Sequence, residues 1–417
     1  MKILLFGLGS RGDVEPFLAL GELLAPTEHE VVYAFPEQLT HLVRDGNRVH
    51  AFTRQFLDLI EGPAGRAIMG ASTGLRKVRD FYVAYRESAP VNDELLRQQA
   101  QFIEREQPDL VVYHPKCMYP PLHRLRTGAR TVQYAPVPYL IHPSAEQPHL
   151  AFANSYGAWF NRKTYALTNF GISKKITDAQ ALVPHPGRFS RTAVRDALLT
   201  ERLVYAVSPT LAPPPPELPP HARVLGFHER DRTVDWTPDR ALLDFLDRHP
   251  RPLLVGFGSM LTADPPGLTR LLCETLIARG IPAILNRAGG GLVPLPDYRH
   301  HPLVHFVDSV PYDWLLPRVG AMLHHGGSGT THGSLRHGLP TLVAPHIIDQ
   351  FMWNRRVAQL GAGPLGVSVR QLNRARLDRL VTDLLTNSTY RTRAAALAAQ
   401  MHGEAALAQR MVEFVLG

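Results

Sequence analysis

The chain has 417 residues, of which 45% are hydrophobic and 20% charged, and this length predicts at least two globular domains. The net charge of +8 comes mainly from scattered arginines and not from a dense basic tract, so we expect no nucleic-acid partner. The two cysteines, Cys117 and Cys273, suggest no disulfide framework, and we expect a cytoplasmic protein.

The first half of the chain alternates short apolar runs with helical patterns. Strands are predicted at Lys2 to Phe6, Glu30 to Phe35 and Leu110 to Tyr113, and helices at Phe17 to Leu24 and Leu95 to Glu104. This order predicts a parallel sheet covered on both faces. No apolar stretch approaches the roughly 18 residues of a membrane span. Membrane contact is therefore expected to be peripheral at most, at the inner membrane face.

A proline-rich segment interrupts the pattern, with six prolines between Pro213 and Pro220 that continue neither a helix nor an inner strand. The strand and helix pattern then restarts. We predict a first Rossmann-like domain at residues 1–208, a linker at 209–222, a second Rossmann-like domain at 223–400 and a C-terminal helix at 401–417. Two such α/β domains would face each other across a cleft at the carboxyl ends of their strands. Between Phe52 and Val91 the strand pattern is lost, which suits a variable lid or pocket wall.

The turn after the first strand, Gly7 to Gly12, formally satisfies the glycine pattern GxGxxG of dinucleotide-binding proteins. A dinucleotide-dependent oxidoreductase is therefore one alternative. Asp13 argues against it, because its carboxylate would point at the pyrophosphate. The second predicted strand also ends at Tyr33 to Phe35 without the acidic residue that would hold a ribose.

The most informative run is Ala321 to Thr331, in which a strand ends at a glycine-rich turn before a helix. Glycines allow backbone amides to approach a phosphate closely, and a helix N-terminus adds a partial positive charge. The hydroxyl groups of Ser328 and Thr330 add donors, and His325 is placed to supply another. This pattern predicts an anion site that requires no metal ion.

A carboxylate and an amide follow the next predicted strand, at Asp349 and Gln350. Together they offer acceptors and donors suited to the vicinal hydroxyls of a hexose. Asp349 could instead cap the following helix. Two adjacent histidines could likewise be core residues or metal ligands, although the other histidines have no spacing typical of a metal site.

These motifs together resemble the family 1 glycosyltransferases, which have the two-domain GT-B fold, and in particular their bacterial antibiotic and sterol glucosyltransferase branch. The donor signature of that branch, HHGGxGTT, then GxP, then DQ, is matched by His324 to Thr331, Gly338 to Pro340, and Asp349 with Gln350. Its GSRGDVxP turn is matched by Ser10 to Pro16. The resemblance covers nearly the whole chain and fades between Phe52 and Leu95.

The resemblance implies roles for further residues. A VPxDWL segment lines the nucleobase pocket in this branch, and here it contains Val310, Tyr312 and Trp314, with a tyrosine where the family usually has a histidine. The GFGSM loop brings Ser259 near the diphosphate. The expected diphosphate-binding residues are thus Ser10, Ser259, His325, Gly327, Ser328, Gly329 and Thr330.

Asp13 faces the acceptor in the resembling family, and we expect it to act as the base that removes the proton of the acceptor hydroxyl. Such a step contributes about 10² to 10⁴ fold to a rate. A carboxylate near its ordinary pKa is a poor base for an alcohol, so we expect burial to raise the pKa of Asp13. Asp13 could also cap the helix that follows. His114, after the strand at Leu110 to Tyr113, is a candidate assistant on the acceptor side.

The sequence thus predicts an inverting, metal-independent glycosyltransferase without a cofactor. UDP-glucose is the first expected donor and a dTDP-deoxysugar the second. The expected acceptor is lipophilic: a sterol, a terpenoid, a polyketide or a glycolipid precursor. The alternatives are a sugar-nucleotide epimerase with a similar donor site, the oxidoreductase, and a binding protein that kept the donor site without catalysis.

Overall fold

The structure is a computed structural model that describes residues 1–62, 75–152, 154–183, 188–230, 236–260, 262 and 264–417. The described residues form two compact units. The first contains the described residues up to Arg230 together with Glu404–Gly417, and the second runs from residue 236 to Gly403.

The first unit is built on a sheet of seven parallel strands in the order β3-β2-β1-β4-β5-β6-β7. The strands are β1 Lys2–Phe6, β2 Glu30–Pro36, β3 Arg48–Phe52, β4 Leu110–Tyr113, β5 Thr131–Ala135, β6 Arg202–Tyr205 and β7 Ala222–Val224. The central strands are almost continuously apolar because helices cover both faces of a parallel sheet. Two clusters of buried apolar residues, one containing Leu4 and Phe6 and the other Ile3 and Leu5, form its core.

The helices of the first unit are α1 Arg11–Leu24, α2 Gln55–Glu61, α3 Leu75–Glu106, α4 Tyr119–Thr127, α5 Ala158–Ala179, α6 Arg191–Thr200 and, at the end of the chain, α15 Leu407–Leu416. Helix α15 packs against α1, and its Met411 and Val415 are buried in the core of the first sheet. The backbone carbonyl of Phe414 also accepts a hydrogen bond from Arg202. The last helix therefore belongs to the first unit.

The second unit has five parallel strands in the order β10-β9-β8-β11-β12. These are β8 Leu253–Gly256, β9 Ala283–Asn286, β10 Val304–Val307, β11 Ala321–His324 and β12 Thr341–Val343. Its helices are α7 Arg240–Arg248, α8 Pro265–Ala278, α9 Pro296–Arg299, α10 Tyr312–Leu315, α11 Ser328–Arg336, α12 Asp349–Gln359, α13 Arg374–Thr386 and α14 Ser388–His402. Short 3₁₀ helices span Glu37–Leu42, Gln180–Leu182, Leu316–Arg318, Val369–Gln371 and Gly403–Ala406.

The predicted class of two parallel-sheet α/β domains is confirmed. The first unit extends beyond the predicted linker at 209–222, because β7 pairs with β6 and adds a seventh strand to the first sheet. Sequence patterns also missed β3, β5 and β6. Part of the predicted lid between Phe52 and Val91, residues 63–74, lies outside the described residues. Among the described helices none is both long and apolar enough to cross a membrane.

The direction of chain winding reverses at one point in each sheet. In the first sheet β1 lies between β2 and β4, so the loops that follow β1 and β4 leave the sheet side by side. In the second sheet β8 lies between β9 and β11, and Gly256 is paired with His324. Ligands of open α/β sheets bind at such reversal points, beyond the carboxyl ends of the strands. Every residue predicted to carry chemistry lies at the carboxyl edge of its own sheet, either on a loop or on the helix that follows that loop.

Candidate functional site

The first turn connects β1 to α1 and is closed by the side chain of Asp13. The Ser10 N–H donates to Oδ2 of Asp13 at 2.8 Å, and the Ser10 hydroxyl donates to the same oxygen at 3.1 Å. The carboxylate also covers Gly9, where an added Cβ would lie 2.1 Å from Oδ2. A pyrophosphate placed on this turn would meet a carboxylate, which argues against a dinucleotide site. The expected diphosphate contact of Ser10 remains a prediction.

The second carboxylate oxygen of Asp13 binds two groups from the loop after β4. Lys116 Nζ lies 2.9 Å from Oδ1, and His114 Nε2 lies 3.2 Å from the same atom. The Lys116 N–H donates to His114 Nδ1 at 3.1 Å, so the neutral imidazole carries its proton on Nε2 and donates it to Asp13. His114 therefore orients the carboxylate and does not accept a proton from an acceptor. Sequence reasoning missed Lys116, although it lies only two residues beyond His114.

Lys116 and His114 decide the charge of Asp13. Burial alone would raise the pKa of the carboxyl, but the ammonium of Lys116 and the hydrogen bond from His114 lower it well below its usual range. Burial lowers the pKa of His114 and keeps its imidazole neutral near pH 7. In this state of the protein the pKa of Asp13 is therefore lowered and not raised, although burial by itself acts in the expected direction. Asp13 is ionised, and all of its strong acceptor positions are occupied.

The second turn connects β11 to α11 and has no such carboxylate. Gly326 has a φ of 91°, and an added Cβ there would lie 2.6 Å from Val343 Cγ1, so the turn requires glycine. The amides of Ser328, Gly329 and Thr330 belong to the first turn of α11, which leaves them without carbonyl partners inside the helix. An added Cβ at Gly329 would meet no protein atom within 4 Å. The helix N-terminus is thus open to an anion.

His325 lies against this turn with its ring between two glycines. An added Cβ would come within 2.9 Å of the ring at Gly258 and 2.4 Å at Gly327. Burial and the neighbouring imidazoles of His324 and His346 lower the pKa of His325 well below its usual value. The ring is therefore neutral near pH 7, and it can offer an anion one N–H but no positive charge.

The loop after β8 places Ser259 beside the loop after β9. The Gly289 N–H donates to the Gly258 carbonyl at 3.0 Å, and an added Cβ at Gly289 would lie 2.4 Å from Ser259 Cα. Because β8 pairs with β11, the Gly258–Ser259 loop leaves the sheet next to the turn that holds His325. The structure thus gathers Ser259, His325 and the α11 amides at one end of the second sheet.

The three predicted nucleobase residues have different surroundings. Val310 is buried in an apolar cluster, at 8% exposure. Tyr312 extends its hydroxyl towards the carboxyl edge of the sheet, where Asn286 Nδ2 donates to it at 3.4 Å. Trp314 instead packs against Trp236, with ring centroids 5.0 Å apart, and carries the guanidinium of Arg318 4.1 Å from its ring centroid. A nucleobase contact therefore remains a prediction for all three residues, and the contacts of Trp314 are those of packing.

Asp349 and Gln350 begin helix α12. The side-chain oxygen of Gln350 accepts the N–H groups of His346 at 2.8 Å and Ile347 at 3.2 Å, so it closes the preceding loop. The idea that this oxygen accepts from a sugar hydroxyl is therefore corrected, because loop amides already occupy it. Asp349 follows Ile348, a β-branched residue with a φ of 39°, and such strain is concentrated at functional sites. Sugar contacts through Asp349 and the Gln350 amide nitrogen remain predictions.

Comparison with known proteins gives a consistent result. Residues 283–413 match the C-terminal domain of the erythromycin biosynthesis protein CIII-like family. A sterol 3-beta-glucosyltransferase of Yarrowia lipolytica is 27% identical over 97% of this chain, and the chain spans 28% of the length of that relative. Both matches point to the antibiotic and sterol branch of the family 1 glycosyltransferases, which this chain resembles.

Solved structures of glycosyltransferases share the fold of this chain. The glycosyltransferase SnogD from Streptomyces nogalater aligns over 99% of both chains with a TM-score of 0.63 and 20% identity. The glycosyltransferase VinC, solved in complex with dTDP, aligns over 100% of this chain and 98% of its own with a TM-score of 0.67 and 18% identity. The two α/β units therefore form a GT-B fold.

In the described parts of this chain, no three His, Cys, Asp or Glu side chains are grouped as ligands of a metal ion. Two buried histidines near His325, one at the end of β11 and one after β12, each have one ring nitrogen close to a local backbone group. His324 Nδ1 accepts the Gly326 N–H at 2.9 Å, and His346 Nδ1 lies 3.1 Å from the Ala344 carbonyl oxygen. Burial lowers the pKa of His324 to about 3 and that of His346 to about 4. These neutral rings shape the turn that carries His325.

Proposed function

We propose that this protein is an inverting glycosyltransferase that moves a hexose from a nucleoside diphosphate sugar to a hydroxyl of a lipophilic small molecule, without a metal ion. The open N-terminus of α11 carries the proposal. Its three unpaired amides and the space beside Gly329 suit a diphosphate. The sterol 3-beta-glucosyltransferases to which the chain is similar support a sugar transfer.

The second unit would bind the donor and stabilise its leaving group. When the bond between the anomeric carbon and the diphosphate oxygen breaks, negative charge develops on that oxygen. Hydrogen bonds fixed in advance at the site of developing charge lower the barrier. The helix dipole contributes about 0.3 to 2 kcal/mol, and the neutral imidazole of His325 adds one N–H donor. These groups replace the charge that a metal ion would supply.

The first unit would carry the base. The acceptor oxygen attacks the anomeric carbon on the face opposite the departing diphosphate, which inverts the configuration, and its proton passes to Asp13. The acceptor hydroxyl can donate to Oδ1 of Asp13 only after a present partner has left. Lys116 is the partner that can leave, because its side chain is 45% exposed whereas that of His114 is 5% exposed. Displacement of Lys116 would also remove the cation that most lowers the pKa of Asp13.

UDP-glucose is the proposed donor, with a dTDP-deoxysugar as the second choice. The glucosyltransferase relatives support glucose, and the dTDP bound to VinC supports the thymidine nucleotide. The proposed acceptors are sterols, terpenoids, polyketides or glycolipid precursors. The buried free thiols of Cys117 and Cys273 suit a reducing compartment, and we propose a cytoplasmic location.

The test is an incubation of the protein with radiolabelled UDP-glucose or dTDP-deoxysugars and a panel of hydrophobic alcohols, with and without EDTA. We expect label in at least one alcohol, with a β-anomeric product from an α-linked donor by proton NMR, and the same rate in EDTA. Abolition of transfer by EDTA would refute the metal-free mechanism. Recovery of an epimerised donor would favour the epimerase, and donor binding without turnover on the whole panel would favour a binding protein.

A further inference from the structure

Helix α5, Ala158–Ala179, differs from an ordinary surface helix, which buries apolar side chains and exposes polar ones. Four polar residues are buried, namely Asn161, Thr164, Asn169 and Ser173. Four large apolar residues are exposed at fractions between 47% and 63%, namely Trp159, Phe160, Leu167 and Phe170. Leu167 follows Phe160 by seven residues and Trp159 by eight, and Phe170 follows Trp159 by eleven. These spacings place the four residues on one side of a helix with 3.6 residues per turn. The helix thus directs these four large apolar side chains to solvent, while Tyr165 and Ile176 are buried on its inward side.

The inward polar side has a structural explanation. It holds the irregular loop between β5 and α5, whose backbone has no strand to pair with. Asn169 Nδ2 donates to the Ile141 carbonyl at 2.9 Å, Asn161 Nδ2 donates to the Ala145 carbonyl at 2.8 Å, and the Thr164 hydroxyl oxygen accepts the His149 N–H at 2.8 Å. These bonds account for the polar residues inside. They do not account for the aromatic residues outside.

The outward side also carries positive charge among its apolar residues. We call Trp159, Phe160, Lys163, Leu167, Phe170 and Lys174 the outer face of α5. Lys163 Nζ lies 5.2 Å from the ring centroid of Trp159, and the Arg191 guanidinium from α6 lies 4.1 Å from that of Phe170. Asp178 is the one acidic residue of the helix, and it is paired with Lys174. Lys163 and Arg191 therefore give this face a net positive charge.

We propose that the outer face of α5 binds the interface of an anionic lipid bilayer. Aromatic and aliphatic side chains that alternate with lysine and arginine are typical of helices that lie in a membrane interface. A large apolar patch that stays exposed on a folded protein marks an interaction site. The anionic headgroups would neutralise Lys163 and Arg191. A symmetric contact with a second copy centred on this face would instead bring like charges together.

The experiment measures binding of the full chain to vesicles by co-sedimentation. One set contains equal parts of phosphatidylglycerol and phosphatidylcholine, and the other contains phosphatidylcholine alone. We expect binding to the first set, weakened by high salt, with a blue shift of the fluorescence that is lost in Trp159→Phe. The double variant Lys163→Gln with Arg191→Gln should bind about 25-fold more weakly, about fivefold for each charge. The double variant Phe160→Ser with Leu167→Ser should lose at least about tenfold.

The matched control is Leu365→Ser, which replaces a leucine of similar exposure, 57%, in the second unit. It should bind vesicles like the unchanged protein. Thermal unfolding of all variants should be unchanged, because the replaced side chains are exposed. Equal binding to both vesicle sets, or binding unaffected by the α5 variants, would overturn the proposal. Dimerisation in sedimentation velocity that the same variants abolish would also overturn it and assign the face to a second copy. The readout is independent of sugar transfer.

Discussion

The two turns that follow β1 and β11 have the same local plan and opposite chemistry. Each connects a buried parallel strand to a helix through glycines, at the point where its sheet reverses direction. In the first turn the carboxylate of Asp13 covers Gly9 and accepts a hydrogen bond from the Ser10 N–H. The second turn contains no carboxylate, and an added Cβ at Gly329, in the first turn of α11, would meet no protein atom within 4 Å.

One side chain accounts for this difference. A helix N-terminus attracts negative charge, and in the first turn the chain supplies that charge itself, whereas in the second turn a ligand can supply it. The first turn therefore presents an anion, and the second is open to one. A glycine pattern alone does not distinguish these cases, which is why the first turn resembles a dinucleotide site in sequence.

The largest expected effect follows from removing the anion of the first turn. Asp13→Asn should lower kcat by about 10² to 10⁴ fold, the usual contribution of a general base. The donor dissociation constant should change by less than about twofold, because the proposed donor site lies on the other turn. An asparagine oxygen can still accept the Ser10 N–H, so the turn should keep its shape. Initial rates with radiolabelled donor and calorimetric donor titration measure the two quantities.

The control for Asp13→Asn is Asp196→Asn, an exposed aspartate on α6 whose loss should leave both quantities unchanged. A thermal unfolding curve should separate catalysis from stability. If Asp13→Asn weakens donor binding as much as turnover, the division of labour between the two turns is wrong.

The second comparison probes the open turn with two neighbouring glycines. Gly327→Ala places a Cβ 2.4 Å from His325 Nε2 and must displace that ring, so we expect at least about tenfold weaker donor binding, or about 1.4 kcal/mol. It should also lower the free energy of unfolding by about 1 to 3 kcal/mol. Gly329→Ala meets no protein atom and should keep or raise stability by up to about 1 kcal/mol. Donor titration and urea unfolding check both variants.

The informative case is Gly329→Ala, because only a bound anion would meet its methyl group. We expect donor binding to weaken by about tenfold, or about 1.4 kcal/mol, although the free protein is undisturbed. Unchanged donor affinity in this variant would show that the diphosphate does not occupy the N-terminus of α11. Gly403→Ala, which also meets no protein atom within 4 Å, is the matched control.

The sequence predicted the parts of the molecule that depend on local pattern. Apolar runs located β1 and β4 to the residue, since a strand buried on both faces reads as one continuous run. Short edge strands such as β7 were missed because three residues carry too little pattern. Lys116 was missed because its contact with Asp13 exists only through the pairing of β1 with β4. The apolar residues on the outer face of α5 are spaced like those of a helix that packs in a core. Only their exposure shows that no described residue covers them.

The smallest effect concerns the partner of Asp13. Lys116→Met removes the ammonium that lowers the pKa of the carboxyl most strongly, so this pKa should rise. If Asp13 must be ionised to act, the acid limb of the pH profile of kcat/KM, which reports the free enzyme, should move to higher pH. At neutral pH kcat should change by less than about tenfold, because the base stays ionised there and the acceptor no longer has to displace a cation. Steady-state rates across the acid range measure the shift.

The same pair makes a prediction about stability, with a definite sign. A carboxylate whose pKa is lower in the folded state stabilises the protein above its unfolded pKa, and this contribution is lost as the pH falls through the folded value. Lys116→Met should therefore weaken the dependence of the unfolding free energy on pH in the acid range. At neutral pH the loss should stay below about 1 kcal/mol, because the lysine is half-exposed. Lys174→Met, which breaks an exposed ion pair on α5, is the control and should leave the pH profile of kcat/KM in place. An acid limb that is unmoved in Lys116→Met would show that Asp13 is not the group that titrates in turnover.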